Sequence, residues 1–266
     1  MFCTKRSLVQ FTAVLVALAA NACAAPGGRP VASASAAKIA CVGGVIRTEA
    51  DAELYSRCES VNGDLSVVGS QLEELSALSG LRQVSGNLEI TGNSQLDDLA
   101  GLEQLEQVGT LSIHDNADLD DLSGLQNLQS ATSVVVSGNR ELASLRGLDG
   151  LTRVETLVLE HNGLYQAAGL SNLSEVGRLV IVDNPKLNSV QGLRSLWRAR
   201  SIEIRNNPRL CARGMLPALT RVEGEVTLKD NRGLSQPEVH QLLGRIERDA
   251  APPSTNSVAR LDSSLR

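Results

Sequence analysis

Three pairs of neighbouring acids, and one histidine set among serines, are the residues of this 266-residue chain whose types could do chemistry. The pairs Glu73-Glu74, Asp97-Asp98 and Asp120-Asp121 recur about 23 residues apart. Stacked on neighbouring strands about 5 Å apart, such carboxylates repel unless they are solvated or bridged by calcium, which takes oxygen ligands of this kind. The surrounding sequence is not the Gly-rich nonapeptide of calcium-binding repeats, so a solvated acidic face stands as the alternative to calcium. His114, with Ser112 before it and Ser137 one period later, invites a hydrolase reading. No Gly-x-Ser-x-Gly elbow or other organised nucleophile accompanies it, and catalysis is not expected there. His161 and His240 read as structural.

The elements that position these residues follow from an internal period of about 23 residues, repeated eight times between Val61 and about Leu234. Such a period means stacked coils. Within it, Leu96, Leu99, Leu102, Leu105, Val108 and Leu111 keep a strict spacing of three. A helix advances about 100° per residue, so that stripe would wind around it, and a helix is rejected. A coil that turns corners fits, with Leu-x-Ile as a short strand whose middle residue faces out. Two residues beyond each strand stand Gly69, Gly92, Asp115, Gly138, His161, Asp183, Asn206 and Asp230, types that tolerate positive φ. Asn follows in seven coils (Asn93, Asn116, Asn139, Asn162, Asn184, Asn207 and Asn231) and can bond the corner backbone of its neighbours. The first coil has Ser70 instead. Gly80, Gly101, Gly124, Gly147, Gly169, Gly192 and Gly214 mark a second corner.

Outward strand positions then stack into ladders. One runs through Glu89, Ser112, Val135, Val158, Val180 and Glu203, the next through His114, Ser137, Glu160, Val182 and Arg205. The four valines make an apolar patch framed by charge, which reads as a partner surface centred on Glu89, His114, Val135, Val158, Val180, Val182, Glu203 and Arg205. The bland alternative is that β-branched residues suit strands.

Both ends look capped. Thr48-Glu-Ala-Asp51 resembles a capping box opening a helix over about 49–57, and Ser235-Gln-Pro237-Glu238 opens another over about 236–246. Residues 1–22, with Lys5, Arg6 and a short apolar run, read as a signal peptide. Cys23 follows directly, so lipidation of Cys23 and ordinary secretion are both open. Residues 23–39 read as a flexible tether, 40–247 as the solenoid, and 248–266 as a disordered tail. In an exported chain Cys41 and Cys58, flanking the first cap helix, are expected to bond. Cys211 reads as a buried, inert thiol.

The formal charge is −5, and −7 without Lys5 and Arg6. Residues 61–130 hold twelve acids and one base, Arg82, whereas residues 131–247 hold fifteen bases and twelve acids. That sign, with so few aromatics, disfavours nucleic acid and stacked-aromatic platforms as partners.

The Cys41 to Cys58 opening, the Val-x-Gly-x-Leu-x-Ile strand, the Asn corner, Leu-x-x-Leu-x-Gly-Leu-x-x-Leu and Asn207-Pro208-Arg209-Leu210-Cys211 together resemble the receptor L-domain, over about residues 40–247. That family comprises the leucine-rich β-helical modules of growth-factor and insulin receptor ectodomains, with similar repeats in bacterial surface lipoproteins. The resemblance implies a leucine-rich-repeat-like, right-handed β-helix that binds and does no chemistry. The chain lacks a cysteine-rich module after Cys211 and a kinase, so receptor signalling does not carry over. The expectation is a binding protein of the bacterial envelope, outer-membrane or secreted, whose partner is a protein or other envelope macromolecule, with no cofactor unless calcium. A structural spacer and a β-helix enzyme acting on carbohydrate are the alternatives.

Overall fold

Left-handed corners set this fold. In the computed structural model, which describes residues 39–211 and 214–246, all eight expected corner residues have positive φ. Gly69, Gly92 and Gly138 stand at 57°, 66° and 72°, while Asp115, His161, Asp183, Asn206 and Asp230 lie between 51° and 57°. These residues belong to the unit Lys38–Arg266. The signal peptide, nearly all of the tether with Cys23, and the tail lie outside the described residues.

Each corner releases the chain from a parallel strand. The strands β1 (Ala40–Ile46), β2 (Ser60–Val68), β3 (Gln83–Thr91), β4 (Gln107–His114), β5 (Ser130–Ser137), β6 (Arg153–Glu160), β7 (Glu175–Val182), β8 (Arg198–Arg205) and β10 (Val226–Lys229) pair in that order, and β9 (Arg221–Val222) joins β8. The register aligns equivalent residues, Leu65 with Leu88, Leu88 with Leu111, Leu111 with Val134 and Val134 with Leu157. The strands are longer than Leu-x-Ile, because the preceding Val-x-Gly-x segment is extended too. β1 carries no coil motif and was not expected; it pairs with β2, Cys41 opposite Val61.

The spacing of three is satisfied inside the coil. Leu96, Leu99, Leu102, Leu105 and Leu111 are all fully buried, in one core running from Ile46 to Ile246. Between coils the chain passes close enough to exclude a side chain at the second corner. A Cβ on Gly101, Gly124, Gly147, Gly169 or Gly192 would strike the carbonyl of Leu75, Leu99, Leu122, Leu145 or Ala167 in the coil before. Gly80 does not belong to this set, since a Cβ there would meet only Cys58 O at 3.6 Å. Ala77 holds the equivalent place in the first coil, where no earlier coil lies beneath it. It lines an open groove shared with the first cap helix.

That helix, α1 (Glu49–Glu53), is shorter than expected. Its capping box is present: Thr48 Oγ1 accepts the Asp51 N–H, and Asp51 Oδ2 accepts the N–H groups of Arg47 and Thr48. These bonds, that of Arg47 foremost, hold the Asp51 carboxyl below its ordinary pKa. The helix then ends in a turn, with Ser56 Oγ donating to the Glu53 carbonyl, and returns the chain so that Cys58 bonds Cys41 across Cα atoms 5.8 Å apart. At the other end α2 (Gln236–Arg245) covers the last coil with Val239 and Leu242. Its first turn is closed by Glu238 Oε2, which accepts from Ser235 N and Oγ.

Candidate binding surface

Every outward side chain of the sheet sits in a row fixed by the register. In the middle row Ser112 stands beside Val135, Val135 beside Val158, Val158 beside Val180 and Val180 beside Glu203. The next row places His114 beside Ser137, Ser137 beside Glu160, Glu160 beside Val182 and Val182 beside Arg205. The ladders expected from the repeat are therefore those of the sheet.

The valine patch is smaller than the sequence implies. Val180 is only 6% exposed and Val182 fully buried, so neither offers surface to a partner. Long charged side chains stand beside them. Glu203 accepts from Arg205 Nε at 2.8 Å and from Arg178 Nη2 at 3.4 Å, which brackets Val180. The Arg205 guanidinium is held above its ordinary pKa by the Glu203 hydrogen bond first, and also by the charges of Glu203, Asp183 and Glu160. Glu160 lies on the strand beyond Val182, so this charge field spans Val182. What stays partly open is Val135 and Val158, part-buried neighbours on β5 and β6. Ser133, Ser137, Thr156 and the carboxylate of Glu160 surround them, and along the middle row the nearest charges on the two sides are Glu89 and Glu203.

His114 Nδ1 and Ser137 Oγ lie 2.9 Å apart. Glu160 adjoins the serine rather than the histidine, and among the described residues no carboxylate is hydrogen-bonded to the imidazole as a nucleophile–base pair requires. The bond is a cross-strand pair on an open face.

One residue in each of two acidic pairs has a backbone task. Asp98 Oδ1 and Asp121 Oδ1 each accept an N–H two residues on, from Ala100 and Ser123, at 2.7 Å. Ser144 and Ser189 do the same at the equivalent place in later coils, with Arg146 and Gln191 as donors. Asp97 and Asp120 point outward, and Glu73 and Glu74 line the first-coil groove opposite Glu49 and Glu53. Burial, followed by the charges of Asp121, Asp97 and Asp98, raises the pKa of Asp120.

A different set comes together at the corners of the fifth and sixth coils. Glu160, His161 and Asp183 each offer a donor atom within 4.8 Å of the other two, the one such group of three among the described residues. The sequence listed His161 and Asp183 as consecutive corners, and that adjacency was the signal. Cys211 is exposed and free, against the expectation of burial. Leu210 takes the inward place beside it, which leaves the thiol on the outside.

Part of the chain is similar to a known family. Residues 57–149 match the family model of the Receptor L domain. No curated protein matches the sequence. Among solved structures, the leucine-rich repeat domain of the type III effector XopL is similar at 17% identity and a TM-score of 0.42, over 81% of this chain and 80% of that one. Receptor L-domain folds typically bind proteins. The chain is a β-solenoid of stacked parallel coils, and its residues 57–149 are similar to the receptor L domain.

Proposed function

We propose that this chain is a non-enzymatic binding protein of the bacterial cell envelope, exported and tethered through a lipid on Cys23, which captures a protein partner on the outer face of its sheet. One observation carries the reading: Val135 and Val158 form a part-exposed apolar centre bordered by three hydroxyl side chains and Glu160. Such a centre is dehydrated at little cost, whereas the flanking charges would have to be stripped of water. The Cys41–Cys58 disulfide supports an oxidising compartment, and Cys23 after Ala20-Asn21-Ala22 supports lipidation.

Crosslinking on intact cells, with mass spectrometry of what is captured, tests the binding reading. Val158→Asp places a charge at the apolar centre and is expected to abolish capture, with circular dichroism unchanged because the side chain points away from the leucine core. Capture that survives the substitution overturns the assignment to this face. The tether is tested separately by the mass of the mature N-terminus, which should begin at a diacylglyceryl Cys23.

A further inference from the structure

We propose that Glu160, His161 and Asp183 form a site for a divalent transition ion of the zinc class. The three residues are held by rigid scaffold. Glu160 ends β6, and His161 and Asp183 are successive corners with the same left-handed backbone, φ 55° in each. Beside them Asn162 and Asn184 are buried in the asparagine ladder, Asn162 N–H to Asn184 Oδ1 at 3.0 Å. The corners therefore present their side chains in parallel, one coil apart.

His161 Nε2 lies 3.5 Å from Asp183 Oδ2, and Nδ1 lies 3.7 Å from Glu160 Oε1. Both separations exceed a hydrogen bond of ordinary length. They are close to the edge of a tetrahedron with metal bonds of about 2.0–2.1 Å, roughly 3.3 Å. An imidazole gives a metal one nitrogen, so the ring must turn to serve both carboxylates. At 61% side-chain exposure His161 is free to do so. One nitrogen and two carboxylate oxygens suit zinc and its neighbours, while calcium prefers six to eight oxygens. Arg205 is the cation facing the group, but its Nε is engaged by Glu203. The remaining coordination positions open to solvent at the end of the outer rows.

The test is calorimetric titration of zinc chloride into the untagged, chelator-stripped protein, repeated with calcium chloride. The proposal expects one zinc per chain and no calcium heat. His161→Asn keeps a corner residue like Asn206 and so preserves the fold; it and Asp183→Asn are expected to weaken zinc by about tenfold or more. Cys211→Ser, which removes the exposed thiol, is expected to leave the affinity unchanged. Cobalt(II) bound to the unsubstituted protein should give the absorption of a four-coordinate ion and lose it in His161→Asn. Absent zinc binding, zinc binding indifferent to His161→Asn, loss of binding in Cys211→Ser, or calcium competing equally would each overturn the proposal.

Discussion

Asn139 Oδ1 accepts the backbone N–H of Asn116 at 3.0 Å, while Asn139 Nδ2 donates to the Ile113 carbonyl at 3.1 Å. One side chain thus satisfies a donor and an acceptor of the coil before it. The same pair of bonds runs from Asn93 to Asn231, and all seven asparagines are at most 2% exposed. Removing one leaves buried backbone groups with neither protein nor water. Asn139→Ala should cost about 1–3 kcal/mol, read as a lower urea midpoint with an unchanged slope. An unaltered midpoint would mean that the corners hold without the ladder.

The second corner makes a paired prediction. Gly147 has φ 107°, and a Cβ there would collide with the Leu122 carbonyl. Gly147→Ala should lose about 1–3 kcal/mol to backbone strain and more if the coils are pushed apart. Gly80→Ala should stay within about 0.5 kcal/mol, as a substitution away from any such feature does. Equal losses at the two sites would refute the close-approach account.

Cys41 and Cys58 are 17 residues apart and tie β1 to the end of the α1 turn. On the chain-entropy model a loop of this size stabilises by about 3 kcal/mol. The double change Cys41→Ser with Cys58→Ser should lower the melting temperature accordingly, and reducing agent should do the same to the unsubstituted protein.

Periodicity made the coils legible because each apolar residue answers to one rule, inward every third position, as Leu96 to Leu105 do. The corners were legible because positive φ restricts residue type, and Asp115 or His161 obeys that restriction as plainly as Gly92. β1 was not, because it has one coil on one side only and so repeats nothing. Val180 and Val182 were misread for a related reason. A ladder predicts which side of the sheet a residue faces, whereas its exposure depends on how far Arg178, Glu203 and Arg205 reach, and no period encodes that. Gly80 matched the glycine rule by type but not by place.

The exposure of Cys211 has a direct readout. A thiol-specific reagent applied to the folded protein should label Cys211, identified by peptide mapping, at the rate of a small free thiol and with no need for denaturant. Labelling only after unfolding would place the side chain back in the core.

Asp120 supplies a dependence on pH. Burial is the largest influence on its carboxyl, followed by the charges of Asp121, Asp97 and Asp98, and together they raise its pKa in the folded state above the ordinary 3.8. The folded protein therefore holds this proton more tightly than the unfolded chain, and ionising Asp120 at neutral pH works against folding. Asp120→Asn should be more stable than the unsubstituted protein at pH 7. The difference should shrink as pH falls through the raised folded pKa, and vanish below the unfolded value. One molar salt, with a screening length of about 3 Å, should shrink the difference by screening the neighbouring aspartates. Calcium separates the two readings of the acidic stripe. If Asp97, Asp98, Asp120 and Asp121 hold the ion, millimolar calcium should raise the melting temperature of the unsubstituted protein and do so less for Asp120→Asn. If they are a solvated face, calcium should act no more strongly than an equal ionic strength of sodium chloride.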